Sequence, residues 1–429
     1  ALLSLQNEGF AILMQDESID NLWCERRLLA RIHRYSREQR RRAVKPVSPA
    51  AFMNFLVHWH AMDDAGADID QALSQLQGWS APATMWEHNL LGVRCKDYSP
   101  DQLDQRFLSG QLAWFRPLAQ SEQTSTIVSA TPLAIVPRNH IAHWLPNPPD
   151  ADSISDSLAR KVLDLLAKHG AMFTADLEQQ SGLLRPQLEQ ALKTLISAGA
   201  ISSDAFSPVR WLLRPEAQKL RRSRQTKRHA VNLPVGRWSI TGSGFSSHAA
   251  GSLSNGTQQR VAIICQSLLR RYGVVFRAVI QRETLLPPWR ELLNYLRRME
   301  DRGEVRGGRF VDGFSGEQFA LPEALGLLRR PMDINDRPVF SVISACDPLN
   351  LGGLIIPGVK TPAISSNRLL LESGLPVARV LGDELEEFPG ISAEASREAQ
   401  RRLLVVRPCL LYTSPSPRDG ETHLVCRLL

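Results

Sequence analysis

Apolar and polar residues recur at helical spacing between residues 286 and 302. The apolar positions follow the i, i+3, i+4, i+7 pattern of an amphipathic helix with one buried face. Pro287 and Pro288 fall at the first turn, where a missing backbone N–H costs little. The pattern predicts a helix from Pro287 to Arg302. Its apolar face consists of Trp289, Leu292, Leu293, Leu296 and Met299.

The same order of predicted elements occurs twice along the chain. In residues 257–330, three helices precede the strand-like runs EVRGGRFV and GEQFAL, with Gly307-Gly308 supplying the turn between them. In residues 154–214, three helices precede the runs AISSDAF and VRWLL. Three helices followed by a two-stranded hairpin form the winged-helix plan. We therefore predict two winged-helix-like units.

Short apolar runs broken by Pro, Gly and Ser, such as GQLAWFRPL, predict β-strands outside these units. Residues 31–150 are interpreted as a helical segment, with one helix capped by Ser48, and the first part of a barrel-containing domain. Residues 331–408 are interpreted as its second, β-rich part. The predicted fold class is α+β, with two winged-helix-like units and a β-barrel-like domain. A proline-rich linker at 146–153 and a basic, Gly/Ser-rich connection at 215–256 join the parts.

Composition places the chain among folded proteins with several domains. At 429 residues, with 43% hydrophobic and 22% charged residues, it is long enough for roughly two to four domains. No run of about 18 apolar residues and no signal-peptide pattern is present, which disfavours membranes and secretion. The six cysteines are scattered singly, which favours a reducing cytoplasm. Because Ala1 opens within an amphipathic segment, we expect the chain to be a fragment.

The net charge of +7 indicates an anionic partner. Residues 214–229 alone carry seven Lys or Arg side chains and one acidic residue, Glu216. Nucleic acid is the partner that this distribution favours.

The motifs of common catalytic sites are missing. No G-x-x-x-x-G-K-[ST] loop is present to cradle nucleotide phosphates, and no G-x-S-x-G elbow organises a hydrolase triad. The acidic run at 383–386 is interpreted as a solvated turn. The histidine pairs His58/His60 and His140/His143 lack a suitable third ligand, so no metal site is expected.

Candidate nucleic-acid contacts come from arginines outside the apolar faces. The charged side of the third helix, the following hairpin and an earlier basic helix can present guanidinium groups to phosphates. Two interpretations remain open for these arginines, since a solvated basic face or a protein-docking surface has the same pattern. The residues are Arg26, Arg27, Arg34, Arg290, Arg297, Arg298, Arg306 and Arg309.

Trp114, followed closely by Arg116, is a candidate stacking platform for a nucleic-acid base. An equally simple interpretation places Trp114 in the core of the predicted barrel. Both interpretations remain open.

Five long strings resemble the large-helicase-related (Lhr) family of bacterial superfamily 2 helicases, in the region after its two RecA-like motor domains. The resemblance covers roughly residues 1–408. The strings are WCERRLLARIHRY, PVSPAAFMNFLVHW, SGQLAW, RYGVVFR and LPPWRELLNYLRRMEDRGEVRGGRFVDGFSGEQFALPEAL.

The resemblance implies an accessory region of an ATP-dependent 3′-to-5′ DNA helicase that unwinds DNA and RNA–DNA hybrids and is associated with DNA repair. Residues 1–30 would end an upstream winged helix, and residues 31–408 would be similar to helix-turn-helix DNA glycosylases and guide the tracking single strand. A tryptophan of the family stacks on a base, a role that falls on Trp114. The resemblance implies ATP and Mg²⁺ as cofactors of the full-length protein and no cofactor for this fragment. It also implies that the motor domains of the same full-length chain are partners of this region. The implied location is cytoplasmic, with the nucleoid.

Two other functions remain open, a glycosylase-like module that acts on bases and a winged-helix module that docks proteins. Residues 409–429, CLLYTSPSPRDGETHLVCRLL, resemble a translated sequencing-adapter read-through. We expect this tail to be non-native.

Overall fold

The computed structural model describes most of the chain. The predicted linker at 146–153, all of the basic stretch except Arg214, and the tail at 409–429 lie outside the described residues. None of the helices in the described part is both long enough and apolar enough to cross a membrane. The described ranges are 2–16, 19–62, 66–117, 131–145, 154–214, 234–241, 253–330, 338–358 and 360–404.

The chain begins with a short helix, a hairpin and a long basic helix. The carboxylate of Glu25 accepts hydrogen bonds from the backbone N–H groups of Arg27 and Leu28, at 2.9 and 2.8 Å, and so caps the basic helix. A further helix follows, capped by Ser48 as predicted, since its hydroxyl accepts the N–H of Ala51 at 3.2 Å. The elements are α1 (Leu2–Asn7), β1 (Ala11–Asp16), β2 (Ile19–Glu25), α2 (Arg26–Arg42) and α3 (Pro49–Trp59).

The first of three similar units occupies residues 69–137. Its three strands form an antiparallel sheet in the order β3-β5-β4, so that the last strand lies between the other two. A short helix, α7 (Ile141–Trp144), follows it. The elements are α4 (Ile69–Gln75), β3 (Ala81–Pro82), a π-helix (Trp86–Leu91), α5 (Gly92–Arg94), α6 (Pro100–Leu108), β4 (Leu112–Phe115) and β5 (Pro132–Pro137).

The second unit, residues 157–241, has the sheet order β6-β8-β7. The predicted strand VRWLL is instead a helix, and the strand that pairs with β7 comes from the predicted connection at 215–256. Trp238 anchors that strand, because its ring is fully buried and its N–H donates to the hydroxyl of Thr174 at 3.1 Å. The elements are α8 (Ser157–His169), β6 (Met172–Phe173), α9 (Thr174–Ser181), α10 (Arg185–Ser197), β7 (Ile201–Ser203), α11 (Ser207–Leu212) and β8 (Arg237–Ile240).

The third unit, residues 253–328, repeats this topology with the sheet order β10-β11-β9. Where a second helix was predicted from Val275 to Arg282, the chain forms a strand and consecutive turns. The predicted third helix is confirmed, with Leu292, Leu296 and Met299 buried. The elements are α12 (Leu253–Tyr272), β9 (Val274–Val275), α13 (Trp289–Asp301), β10 (Arg306–Gly308), β11 (Gln318–Ala320) and α14 (Pro322–Leu328).

No closed barrel forms in the described part of the chain, so that part of the predicted fold class is not confirmed. Residues 340–387 form an open four-stranded antiparallel sheet in sequential order. The acidic run at 383–386 enters its last strand, where Glu384 and Glu387 are exposed. The elements are β12 (Phe340–Ser344), β13 (Arg368–Glu372), β14 (Leu375–Leu381), β15 (Glu384–Glu387), α15 (Ala393–Ala399) and a π-helical turn (Gln400–Leu404).

The sheet of the first unit separates two large hydrophobic cores. Leu112 and Trp114 of β4 belong to the core shared with the second unit, whereas Ala113 and Phe115 belong to the core shared with α3 and the third unit. Side chains of a strand alternate between faces, and here both faces are buried. The first unit is therefore the central element of the molecule.

A buried ion pair joins this central unit to the four-stranded sheet region. The side chains of Arg94 and Asp347 are both fully buried, and the guanidinium donates to both carboxylate oxygens, at 2.8 and 3.0 Å. Arg94 also donates through Nε to Nδ1 of His60 at 3.0 Å, and the Nε2 of His60 lies 2.8 Å from the carbonyl of Arg271. Since Nδ1 accepts, Nε2 carries the proton.

Arg271 extends the network into the third unit. Its guanidinium pairs with Glu283 and donates to the carbonyls of Gln75 and Gln77, at 3.0 and 2.5 Å. The hydroxyl of Tyr272 donates to the same carboxylate of Glu283 at 2.9 Å. Removing one member of such a buried pair leaves an unpaired charge and costs about 3 to 5 kcal/mol. The network fixes the first unit, the third unit and the sheet region against one another.

The network keeps His60 neutral. Burial and the neighbouring charge of Arg94 hold the pKa of His60 well below its ordinary value of 6.5. The unfolded chain takes up a proton there as the pH falls through 6.5, whereas the folded chain does not. Stability conferred at this site is therefore present above pH 6.5 and is lost below it.

We expect the free energy of unfolding to decrease as the pH falls below 6.5. In the His60→Gln variant, this decrease should be smaller by about 1.4 kcal/mol per pH unit. Glutamine can accept from Arg94 and donate to Arg271 but does not titrate. Urea unfolding between pH 7.5 and 5 measures both slopes. The exposed His169→Gln serves as control. Equal slopes for the wild type and His60→Gln would contradict the assignment.

Candidate nucleic-acid interface

Helix α13 presents a basic side to solvent. Its apolar stripe is turned into the core, so Arg290, Arg297 and Arg298 lie on the exposed side, as their spacing predicted. In a winged helix this third helix is the element that enters a nucleic-acid groove. The helix is therefore positioned to offer guanidinium groups to phosphates or base edges.

The hairpin of the third unit forms a wing beside α13. Arg306 lies in β10 and Arg309 directly follows it, and both are exposed. The buried amide of Gln318 braces the wing, since its oxygen accepts the N–H groups of Phe310 and Val311, at 2.8 and 2.7 Å. Phe314 packs on Phe276 with ring centroids 5.0 Å apart. The wing is thus held at its base and in its loop.

The five arginines of α13 and the wing differ in how far they are already paired. Arg297 donates to Glu317 at 2.7 Å, and Arg298 lies over the ring of Tyr295, 5.4 Å from its centroid. Within the described ranges, Arg290, Arg306 and Arg309 form no ion pair. These three guanidinium groups are therefore available to an anionic ligand.

Helix α2 lies across the wing and the end of α13. Arg41 binds Glu300 with two nitrogens, one at 2.8 Å, and Glu317 with a third at 2.6 Å, while Arg37 pairs with Asp301. We call these contacts the ionic clasp. Its residues come from segments separated by 259 positions or more, and no sequence pattern pointed to it.

The clasp explains Gly307 and Gly308. They lie within β10 and not at the predicted turn, which residues 309–317 form instead. A Cβ on Gly307 would lie 2.4 Å from Oε1 of Glu300 and 2.8 Å from Nε of Arg41, and one on Gly308 would lie 2.8 Å from Val44. These distances are too short for real contacts. A side chain at position 307 would displace the side chains of the clasp, and one at position 308 would displace Val44, because α2 passes directly over the strand.

The remaining candidate arginines of α2 are exposed. Arg26, Arg27 and Arg34 lie, by helical spacing, on the same side as Arg37 and Arg41. The opposite side of α2 carries the exposed apolar residues Leu28, Ile32 and Tyr35. The predicted basic helix therefore has an arginine side, which faces the third unit, and an exposed apolar side opposite it.

Trp114 and Arg116 are not accessible to a ligand. The ring of Trp114 is 0% exposed, and its N–H lies 3.3 Å from both the hydroxyl of Ser203 and the carbonyl of Ala205. Arg116 is also buried and donates to the hydroxyl of Ser197 at 3.0 Å. A base cannot stack on a ring with both faces covered. In this structure Trp114 is therefore a core residue, in agreement with the second interpretation.

The third helices of the other two units face protein instead. Asp104 of α6 accepts the N–H groups of Phe206 and Ser207, both at 2.9 Å, and pairs with Arg210. In α10, Glu189 and Ser197 are buried. These contacts hold the first and second units together. Among the three units, only the third combines an exposed basic helix with an exposed basic wing in the described residues.

One histidine of each pair has a partner within the protein. His60 belongs to the buried network, and Nδ1 of His140 lies 2.9 Å from the amide nitrogen of Gln77. Burial lowers the pKa values of both His140 and His143; the charge on His143 adds to this effect at His140, and the charge on Arg260 adds to it at His143. Within the described ranges, no group of three or more His, Cys, Asp or Glu side chains is placed to hold a metal ion.

Two family models match the chain, both described as a winged-helix domain of the large helicase-related protein. One covers residues 47–132, which include α3 and most of the first unit, and the other covers residues 254–339, which contain the third unit. The first match falls where barrel strands were predicted. The family match therefore supports a winged-helix domain in that segment, and the barrel interpretation is not confirmed.

The chain is similar to two curated proteins over most of its length. It is 25% identical over 407 residues to Lhr helicase/uracil glycosylase of Escherichia coli (strain K12), covering 84% of this chain and 25% of that protein. It is 28% identical over 354 residues to Lhr helicase/probable uracil glycosylase of Mycolicibacterium smegmatis (strain ATCC 700084 / mc(2)155), covering 76% and 22%. The chain thus spans about a quarter of the length of these relatives.

Among solved structures, the chain resembles the Streptomyces sahachiroi DNA glycosylase AlkZ with a TM-score of 0.45 and 13% identity. The match covers 84% of this chain and 96% of that one.

Replacing Trp114 tests its assignment to the core. We expect Trp114→Ala to reduce the free energy of unfolding by about 3 to 5 kcal/mol, because it leaves a large cavity between two packed units. Chemical denaturation measures the loss, with substitution of the exposed Phe173 by Ala as control. A stable Trp114→Ala variant with weakened nucleic-acid binding would restore the stacking interpretation.

Proposed function

The chain belongs to the large helicase-related family, and we propose that it is a nucleic-acid-binding accessory region of an ATP-dependent DNA helicase. Its winged-helix domains would guide the strand along which the motor moves. The proposal extends to 3′-to-5′ movement, to RNA–DNA hybrids as further substrates and to a role in DNA repair. Hydrolysis of ATP with Mg²⁺ is assigned to motor domains of a longer protein.

The exposed basic face of the third unit carries this proposal. Arg290, Arg306 and Arg309 are unpaired within the described residues and come from the two elements that a winged helix places against nucleic acid. Unpaired guanidinium groups bind phosphates in bidentate geometry. We define these three residues, with Arg298, as the basic face.

The other units support the same proposal by contrast. They share the sheet order of the third unit, but polar side chains of α6 and α10 make contacts within the protein: Asp104 accepts from the second unit, and Glu189 and Ser197 are buried. We infer that they hold the third unit at a fixed orientation. A guide for a moving strand requires such rigidity, since a loosely held site would move with the strand.

Docking of a partner protein remains the competing function of the basic face. If docking is the function, the basic face binds protein surfaces, and nucleic-acid binding by the chain does not depend on contacts between its arginines and phosphates. Action on bases is a further alternative, and it requires a pocket for a flipped base. Nucleic-acid binding is therefore the function to test first.

Salt dependence tests the proposal directly. We expect the 429-residue chain to bind fluorescent single-stranded DNA, and the triple variant Arg290→Gln, Arg306→Gln, Arg309→Gln to bind at least about tenfold more weakly. The slope of log K against log salt should become shallower by about 2, since each lost phosphate contact on a single strand removes about 0.7. Anisotropy at 50 to 200 mM salt measures both.

A variant with the same change in charge elsewhere provides the control. Lys96→Gln, Lys161→Gln and Arg397→Gln alter exposed side chains outside the basic face. This control should bind like the wild type. Equal weakening by both triple variants would indicate a dependence on net charge alone, and unchanged binding by the Arg290, Arg306 and Arg309 variant would favour protein docking.

A further inference from the structure

Three carboxylates lie beside the basic face. Glu300 and Asp301 end α13 close to Arg297 and Arg298, and Glu317 precedes β11 on the wing. Gly308 of β10 pairs with Gln318, so Glu317 lies opposite the end of β10, near Arg309. Left unpaired, these negative charges would repel phosphates within a Debye length, about 8 to 10 Å.

Arg41 and Arg37 neutralise these carboxylates from outside the third unit. Arg41 reaches Glu300 and Glu317 at once, with distances of 2.8 Å to Glu300 and 2.6 Å to Glu317. Its side chain is 25% exposed and that of Glu300 is 7% exposed, so the pair is partly screened from water. The arrangement is stronger than an exposed surface pair because it is bidentate and bridging.

Glu317 lies between Arg41 and a candidate ligand contact. One of its oxygens accepts from Arg41, and the other accepts from Arg297 at 2.7 Å. Burial alone would raise the pKa of Glu317, but the hydrogen bonds from Arg297 and Arg41 outweigh it and lower that pKa. Glu317 therefore stays ionised. Without Arg41, Glu317 would keep Arg297 as its partner, but Glu300 would lose the cation that binds it in this structure.

We propose that Arg41 is a positioning residue for nucleic-acid binding, which shields the basic face from Glu300 and Glu317 without touching the ligand. The inference rests on the proposed function. The close passage of α2 over Gly307 and Gly308 supports it, since the strand has no side chains where Arg41 and Val44 approach. Helix α2 thereby makes the electrostatic surface of the third unit depend on an element outside that unit.

Charge-neutral variants separate shielding from direct contact. We expect Arg41→Met to weaken single-stranded DNA binding by about fivefold near 100 mM salt, because about one unit of carboxylate charge is uncovered within a Debye length. Adding Glu300→Gln and Glu317→Gln should restore affinity to within about twofold, with the salt slope of the wild type. The slope should not fall by the roughly 0.7 of a lost phosphate contact.

The carboxylate double variant distinguishes shielding from a structural role. With Arg41 intact, the Glu300→Gln, Glu317→Gln variant should bind single-stranded DNA as tightly as the wild type or more tightly. If the clasp served only to hold α2 in place, this variant would bind more weakly. Arg40→Met is the matched control, since Arg40 is exposed and its Nε donates to the carbonyl of Ser36. Circular dichroism of every variant checks that α2 remains helical.

The outcomes for the shielding role and the proposed function are distinguishable. Binding by the wild type with no effect of Arg41→Met, or with no rescue in the triple variant, overturns the shielding role alone. A wild type that fails to bind single-stranded DNA at 50 mM salt overturns both.

Discussion

The bidentate pair between Arg94 and Asp347 is the interaction on which the arrangement of the units depends. Two opposite charges are fully buried there, and His60 and the carbonyl of Leu90 each accept a further N–H of Arg94, which offsets part of the cost of burying its charge. Through His60 the network reaches Arg271 of the third unit. A buried polar network of this kind tolerates few alternative geometries, since any shift leaves a charge without a partner. It therefore specifies one orientation of the third unit.

The three units use one topology for different purposes. In each, the last strand lies between the other two. The first unit buries both faces of its sheet, and the second covers its third helix with contacts within the protein. The third keeps an outward basic face, and α2 covers the carboxylates beside it. Fold alone thus does not specify which unit meets a ligand; surface charge and burial do.

Helix α13 and its exposed arginines could be predicted from sequence, because one face is buried and the other solvated, which produces a clear helical period. Strands β4 and β5 could not be assigned to a winged-helix unit from sequence, because they bury both faces and show no polar alternation. Because both faces of β4 are buried, Trp114 lies in a hydrophobic core. Strand β8 and the ionic clasp were missed because their partners are distant in sequence; Arg41 and Glu300 are 259 residues apart.

Hydrogen–deuterium exchange of the chain with and without single-stranded DNA would show whether, among the three units in the described part of the chain, the third offers the binding face. We expect added protection in the first turns of α13 and in residues 306–317, with α6 and α10 unchanged. Protection centred on α6 or α10, with none in the wing, would contradict it.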